Sequence, residues 1–437
     1  MGLVQTFVFA RVLSPDRFSL FILVGAIGYS LWLCDLGLAK ILFVKLRAAH
    51  LSGRADEHAA REASAVILFY VLLAVAGSVA CFLVMAARSS FSLLDAAAFA
   101  LFFLYIALNL TWFSLRSISI SVDEYVFYEK LELVRRVVNI ATLLAMLVGL
   151  PFAAFLIGSN VLWAALLFAA TTKLLRHGAL TLRIGGLPGE LSQFFRRNMS
   201  SITRSGTSAL GDIFTYTFPY YVVPVAFGLG APVIILEATF RVFRGASVIF
   251  AAACDLAVPG QTRALAAHDA PRLIRTTLLA AALCFVPAAF ACALLILASK
   301  ELFAFLLHAA ATVPPQITPI LVVLLAANLV QMVTQSLLQH TGFFREISRI
   351  SCGVAAAMVV ATGLAVAAGF DIVGFLAAYA AVYCAGALYS VVVVIRGPFR
   401  AVARPLPAPS PAAALQQRTT QRQDAANEAA SAAVPAE

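Results

Sequence analysis

Eleven apolar runs, each about as long as the roughly 20 residues that cross a bilayer, govern what this chain can fold into. They lie at 18–44, 65–86, 94–114, 134–150, 152–172, 205–227, 231–259, 276–299, 314–338, 351–369 and 372–395. A soluble core cannot absorb that many. The chain is 62% hydrophobic and 12% charged, against about 25% charged in a soluble globular chain. The expected class is an all-α polytopic membrane protein. A twelfth run, 1–13, rises only about 20 Å against a hydrocarbon core of about 30 Å, which is half a span.

Charge placement supports this division. With the N-terminus inside, 24 Lys and Arg fall in inner loops and 4 (Arg11, Arg17, Arg88, Lys300) in outer ones. Basic residues hold loops on the cytoplasmic side, so both termini are expected in the cytoplasm. The same rule accounts for the net charge of +10 without nucleic acid, and no basic patch with interleaved aromatics is present. No cleavable leader is expected at the N-terminus. The seven cysteines lie in apolar runs without zinc or redox spacing. They read as buried free thiols, and neither a metal nor a cofactor is expected.

The two halves repeat. Leu13-Ser14-Pro15 matches Leu229 to Pro232, Gly25-Ala26 matches Gly245-Ala246, and Cys34-Asp35-Leu36 matches Cys254-Asp255-Leu256. Ala48-Ala49-His50 matches Ala266-Ala267-His268, and Asn109-Leu110 matches Asn328-Leu329, at offsets of 216–220 throughout. An offset of six helices keeps orientation. Two parallel six-helix repeats around a central cavity are therefore expected, a layout of secondary transporters. The organisation expected is a bundle at 1–172, a basic linker at 173–204, a second bundle at 205–397 and a disordered tail at 398–437. By the same offset the first helix lacks about fourteen residues; either the true start lies further upstream or the first helix is a half-helix.

Arg11-Val12-Leu13-Ser14-Pro15-Asp16-Arg17-Phe18 followed by Asp35-Leu36-Gly37-Leu38 resembles the opening of bacterial O-antigen and exopolysaccharide flippases. These belong to the multidrug/oligosaccharidyl-lipid/polysaccharide exporter superfamily. The chain departs from the pattern at Ser14-Pro15 and Arg17-Phe18-Ser19, where glycines are usual, and in its short first helix. The resemblance implies alternating access between two bundles in the inner membrane. It also implies a cationic cavity and a polyprenyl-diphosphate-linked oligosaccharide as substrate. Polysaccharide polymerase or assembly proteins are the implied partners besides membrane lipids.

Charges within spans are functional candidates because they are costly in lipid. Glu237, Arg241 and Arg244 share one helical face. Glu237 and Arg241, at i,i+4, can pair and leave the Arg244 fork for a diphosphate. The alternative is a purely structural group. Lys40 and Arg11 are further diphosphate candidates, or interfacial side chains. Asp35 and Asp255 match across the repeat and can serve ion coupling or a symmetric helix-end contact. Asp212 with Tyr216, Tyr220 and Tyr221 can line a sugar path or simply pack. Asn109, Gln331 and Gln335 can face the cavity or join helices. A membrane polysaccharide polymerase or glycosyltransferase is the rival enzyme class, but no outer loop holds two carboxylates with a His and no nucleophile, P-loop or HExxH motif is present, so an enzyme is not expected. An exporter of organic cations is the competing transporter class, and it predicts cavity carboxylates rather than arginines.

Overall fold

The computed structural model describes residues 2–35, 37–51, 57–87, 91–181, 187–308, 310–341 and 343–403. Helices fill almost all of them. The first half holds α1 (Gly2–Val12), α2 (Pro15–Ser30), α3 (Leu38–Leu51), α4 (Glu57–Ala86), α5 (Leu93–Ser121), α6 (Tyr125–Ala145) and α7 (Phe152–Arg176). The second holds α8 (Leu187–Phe227), α9 (Ala231–Ala266), α10 (Ala270–Leu307), α11 (Ile317–His340), α12 (Phe344–Ala367) and α13 (Ile372–Val394). Seven of these, α4, α5, α7 and α10 to α13, are long and apolar enough to cross a membrane. The protein is a multi-pass membrane protein. Of the others, α6, α8 and α9 carry several charges each; Glu132, Arg135 and Arg136 of α6 form one cluster, and Glu237, Arg241 and Arg244 of α9 another.

The helix pairings repeat. In the first half α5 packs on α2, α3, α4 and α7, α6 on α7, and α1 on α6; in the second half α11 packs on α9, α10 and α13, α12 on α13, and α8 on α12. Loops alternate between two ends of the bundle. One end, here the basic end, carries loop 122–124 and loop 267–269; the opposite end carries loops 13–14 and 228–230.

One departure from the repeat has a local cause. The expected single span 18–44 is broken. α2 stops at Ser30, a 3-10 turn runs Leu31–Asp35, and α3 starts at Leu38. Gly37 sits at φ +80°, a region glycine enters without steric cost. The Asp35 carboxylate then accepts from the Gly37 and Ala39 amides at 3.2 Å each, and from the Tyr70 hydroxyl at 2.7 Å. This is a helix N-terminal cap. In the second copy Ala257 stands where Gly37 would be, and α9 runs through unbroken.

Other boundaries also differ from expectation. α6 begins at Tyr125 rather than near 134, so Lys130, Arg135 and Arg136 belong to the helix and not to a loop. α8 starts at Leu187 and takes in the second half of the segment expected as a linker. α1 is 11 residues long, about 16 Å. The helical region extends to Ala403, and the tail expected beyond it lies outside the described residues.

Close helix approach depends on small residues where two backbones meet. A Cβ on Gly211 of α8 would lie 2.7 Å from the Ser351 carbonyl carbon and 2.9 Å from the Cys352 amide of α12. Backbone cannot rotate away as a side chain can. Gly211→Ala is therefore expected to separate α8 from α12 and cost about 1–3 kcal/mol, the usual range for overpacking. Thermal unfolding in detergent reads this. An unchanged midpoint would contradict it.

Candidate functional site

The stripe on α9 forms as its spacing requires. Glu237, Arg241 and Arg244 lie one and two turns apart on a single face, and that face meets α2 and α8. Glu237 is nearly sealed from solvent, its side chain 4% exposed; Arg241 is 19% and Arg244 33% exposed. The Glu237 carboxylate accepts from Arg241 Nε and from the Tyr220 hydroxyl of α8. Arg244 Nη2 donates to the same hydroxyl and lies 3.5 Å from Glu237 Oε2. Arg244 Nε donates to the Phe240 carbonyl at 3.3 Å, and its guanidinium sits 5.3 Å from the Tyr220 ring centroid, within cation–π range.

One carboxylate faces two guanidiniums, so the group carries one net positive charge. Neither Nη of Arg241 nor Nη1 of Arg244 has a hydrogen-bond partner among the described residues, and none of the three is a sealed-off buried atom. They line a cleft between the two halves. Its opposite wall is aromatic: Phe9 of α1, Phe18, Phe21 and Tyr29 of α2, and Phe102 of α5. These rings pack edge-on to one another, with Phe21 and Phe102 centroids 5.2 Å apart at 89°.

The two halves also meet at the end opposite the basic one. There Phe7 of α1 packs on Phe305 of α10 at 4.8 Å between centroids. Arg11 extends across and donates to the Phe305 carbonyl and, at 3.5 Å, to the Leu306 carbonyl. Toward the basic end the same face of α9 is open, with Val248 72% exposed and Asp255 exposed as well.

The expected residues thus divide. Glu237, Arg241, Arg244 and Tyr220 come together in the cavity. Arg11 does not join them. Its charge is taken by free carbonyls at the C-terminal end of α10, which attract cations. Asp35 and Asp255 are not equivalent: the first caps α3, the second lies uncapped on the open face of α9. The side chains of Lys40 and Asp212 lie outside the described residues. The Tyr216 hydroxyl bonds the Tyr383 hydroxyl at 3.1 Å within the second bundle. Tyr221 bonds Ser30 across the two bundles. Asn109 donates back to the Tyr105 and Ile106 carbonyls of its own helix. Gln331 and Gln335 each keep a buried amide atom without a partner. The aromatic wall is not legible in the sequence, because Phe9, Phe18, Phe21 and Phe102 read there as ordinary apolar residues.

Because Arg11 ties α1 to α10, Arg11→Ala is expected to loosen that contact. The contact of a cation with a helix C-terminus contributes about 1–2 kcal/mol when partly buried, enough to raise an open minor state about tenfold. Labelling of a cysteine placed at Leu306, 6% exposed, reads this: the rate should rise about tenfold, and an unchanged rate would show that the contact does not depend on Arg11.

No family model matches the chain, nor does any curated protein. Solved structures do match. A multidrug resistance MATE family transporter of the MOP superfamily, in an inward-facing conformation, aligns at TM-score 0.67 and 13% identity over 92% of this chain and 94% of its own. A MATE transporter of Vibrio cholerae in its bent form aligns at 0.57 and 13% over 92% of each chain. A MOP superfamily transporter of Pyrococcus furiosus aligns at 0.53 and 13% over 91% of this chain and 99% of its own. The chain therefore has the MATE-like transporter fold.

Proposed function

We propose that the protein is an exporter of the bacterial inner membrane that flips an anionic, diphosphate-linked oligosaccharide lipid by alternating access, both termini being cytoplasmic. The observation that carries this reading is the set of three guanidinium nitrogens on Arg241 and Arg244 that have no partner among the described residues. They face a cavity whose one carboxylate is already engaged. A diphosphate supplies the acceptor oxygens that such a fork matches, and the aromatic wall suits an isoprenoid or a sugar face. The exposed face of α9 toward the basic end agrees with loading from the cytoplasmic side. The Pyrococcus furiosus protein is described as having a binding pocket of reverse polarity that suggests a different function.

Export of organic cations is the second reading. It is favoured by the structural neighbours, several of which are named MATE transporters and one a multidrug resistance transporter, and it fits the comparisons at least as well. Phe9, Phe18, Phe21, Phe102 and Tyr29 would suit a lipophilic cation, and Glu237 would be its counter-ion; the net positive charge beside them opposes it.

Binding to the purified protein separates the two. A polyprenyl diphosphate should bind and tetraphenylphosphonium should not compete. Phosphonium binding with no diphosphate binding would overturn the flippase reading in favour of the exporter.

A further inference from the structure

A second group of the same composition lies on α6. Glu132, 8% exposed, accepts from Trp112 Nε1 at 2.8 Å, from Arg135 Nε and Nη2 at 2.7 Å each, and from Arg136 Nε at 2.7 Å. Two carboxylate oxygens hold about four acceptor sites, so this one is saturated. The group again carries one net positive charge. Nη1 of Arg135 and both Nη of Arg136 make no hydrogen bond among the described residues. The Arg136 side chain is 63% exposed, that of Arg135 only 12%.

Two buried polar atoms beside the arginines also lack partners. The Arg135 guanidinium lies 4.8 Å from the Trp163 ring centroid, and Trp163, 1% exposed, has an unpartnered Nε1. Asn139, one turn further along α6 and 1% exposed, has an unpartnered Oδ1. Arg136 is eleven residues into α6, about 16 Å along the helix. Beside it α6 presents Leu133 at 62%, Val137 at 58% and Leu144 at 45% exposure, an apolar strip for a hydrocarbon chain.

We propose that Arg135 and Arg136, held by Glu132, form a second anion station that takes the diphosphate head of the substrate lipid while its tail lies along α6. This rests on the flippase reading of the Arg241–Arg244 site. No free carboxylate is left in the group to draw a cation, and the unused donors call for an acceptor.

The test counts bound lipid by native mass spectrometry on the full chain, with a short polyprenyl diphosphate as probe. Wild type should bind two molecules, and Arg136→Gln and Arg244→Ala one each. Half-saturation of the lost site should weaken at least about tenfold, as for loss of a charge-assisted pair. Arg136 is exposed, so its substitution should leave the thermal midpoint of the protein unchanged. Two bound molecules in Arg136→Gln would overturn the second station and leave the first site standing if Arg244→Ala still loses one. Equal displacement by phosphatidylglycerol would overturn the assignment to substrate and make the station one for bilayer lipid. No binding to wild type would overturn both the station and the reading it rests on.

Discussion

Cells relying on Arg244→Ala are expected to lose surface polysaccharide while the protein still accumulates in the membrane. Arg244 is the least buried member of its group, at 33% exposure. Its removal leaves the Glu237–Arg241 pair and the Tyr220–Glu237 bond in place. What disappears is the net positive charge. Truncating one partner of a desolvated charge pair costs about 2–5 kcal/mol of binding, and each 1.4 kcal/mol is about tenfold in affinity. Arg244→Lys keeps the charge and loses the fork, and should fall between the two. The cation-exporter reading predicts the reverse. Removing a repulsive charge would then leave drug resistance intact or raise it, with polysaccharide unaffected. Normal polysaccharide in Arg244→Ala would remove Arg244 from the site.

Glu237→Ala should do the opposite kind of damage, to the fold before the function. The carboxylate is 4% exposed and holds two guanidiniums and a tyrosine hydroxyl. Without it two like charges remain one turn apart in the cavity wall. Removing one partner of a buried ion pair costs about 3–5 kcal/mol because the charge left behind has no counter-ion. Thermal unfolding in detergent should show a clear drop. Glu237→Gln, which still accepts hydrogen bonds, should lose less. The double variant Glu237→Leu with Arg241→Leu should recover much of the loss, since an apolar replacement of the whole pair is often neutral. If the double variant is as unstable as Glu237→Ala, the damage comes from packing and not from the stranded charge.

Much of the site is legible in the residue order. The spacing of Glu237, Arg241 and Arg244 puts them on one face wherever α9 packs, because 3.6 residues per turn follows from the backbone. The difference between the two repeat copies is legible too. Cys34-Asp35-Leu36-Gly37 against Cys254-Asp255-Leu256-Ala257 holds the reason that one copy breaks and the other does not. Only the glycine copy can take φ +80°, so the two aspartates part company. The charges of 129–136 are harder to read. Such a run has the composition of a loop, whereas α6 keeps it helical by closing Arg135 and Arg136 on Glu132.

Spans, their alternation and the parallel repeat follow from local composition and covalent spacing, which a chain carries with it unfolded. Which side of each helix faces the cavity does not. Lipid is as apolar as leucine, so burial in a membrane does not select an inner face as water does in a soluble bundle. α13 is apolar all round, yet Tyr379 and Tyr383 are buried while Leu388 and Tyr389 are exposed. Only packing decides such rotations. Packing therefore brought Tyr220 to Glu237 from another helix, sent Arg11 to the carbonyls of α10 instead of the cavity, and placed the aromatic wall opposite the arginines.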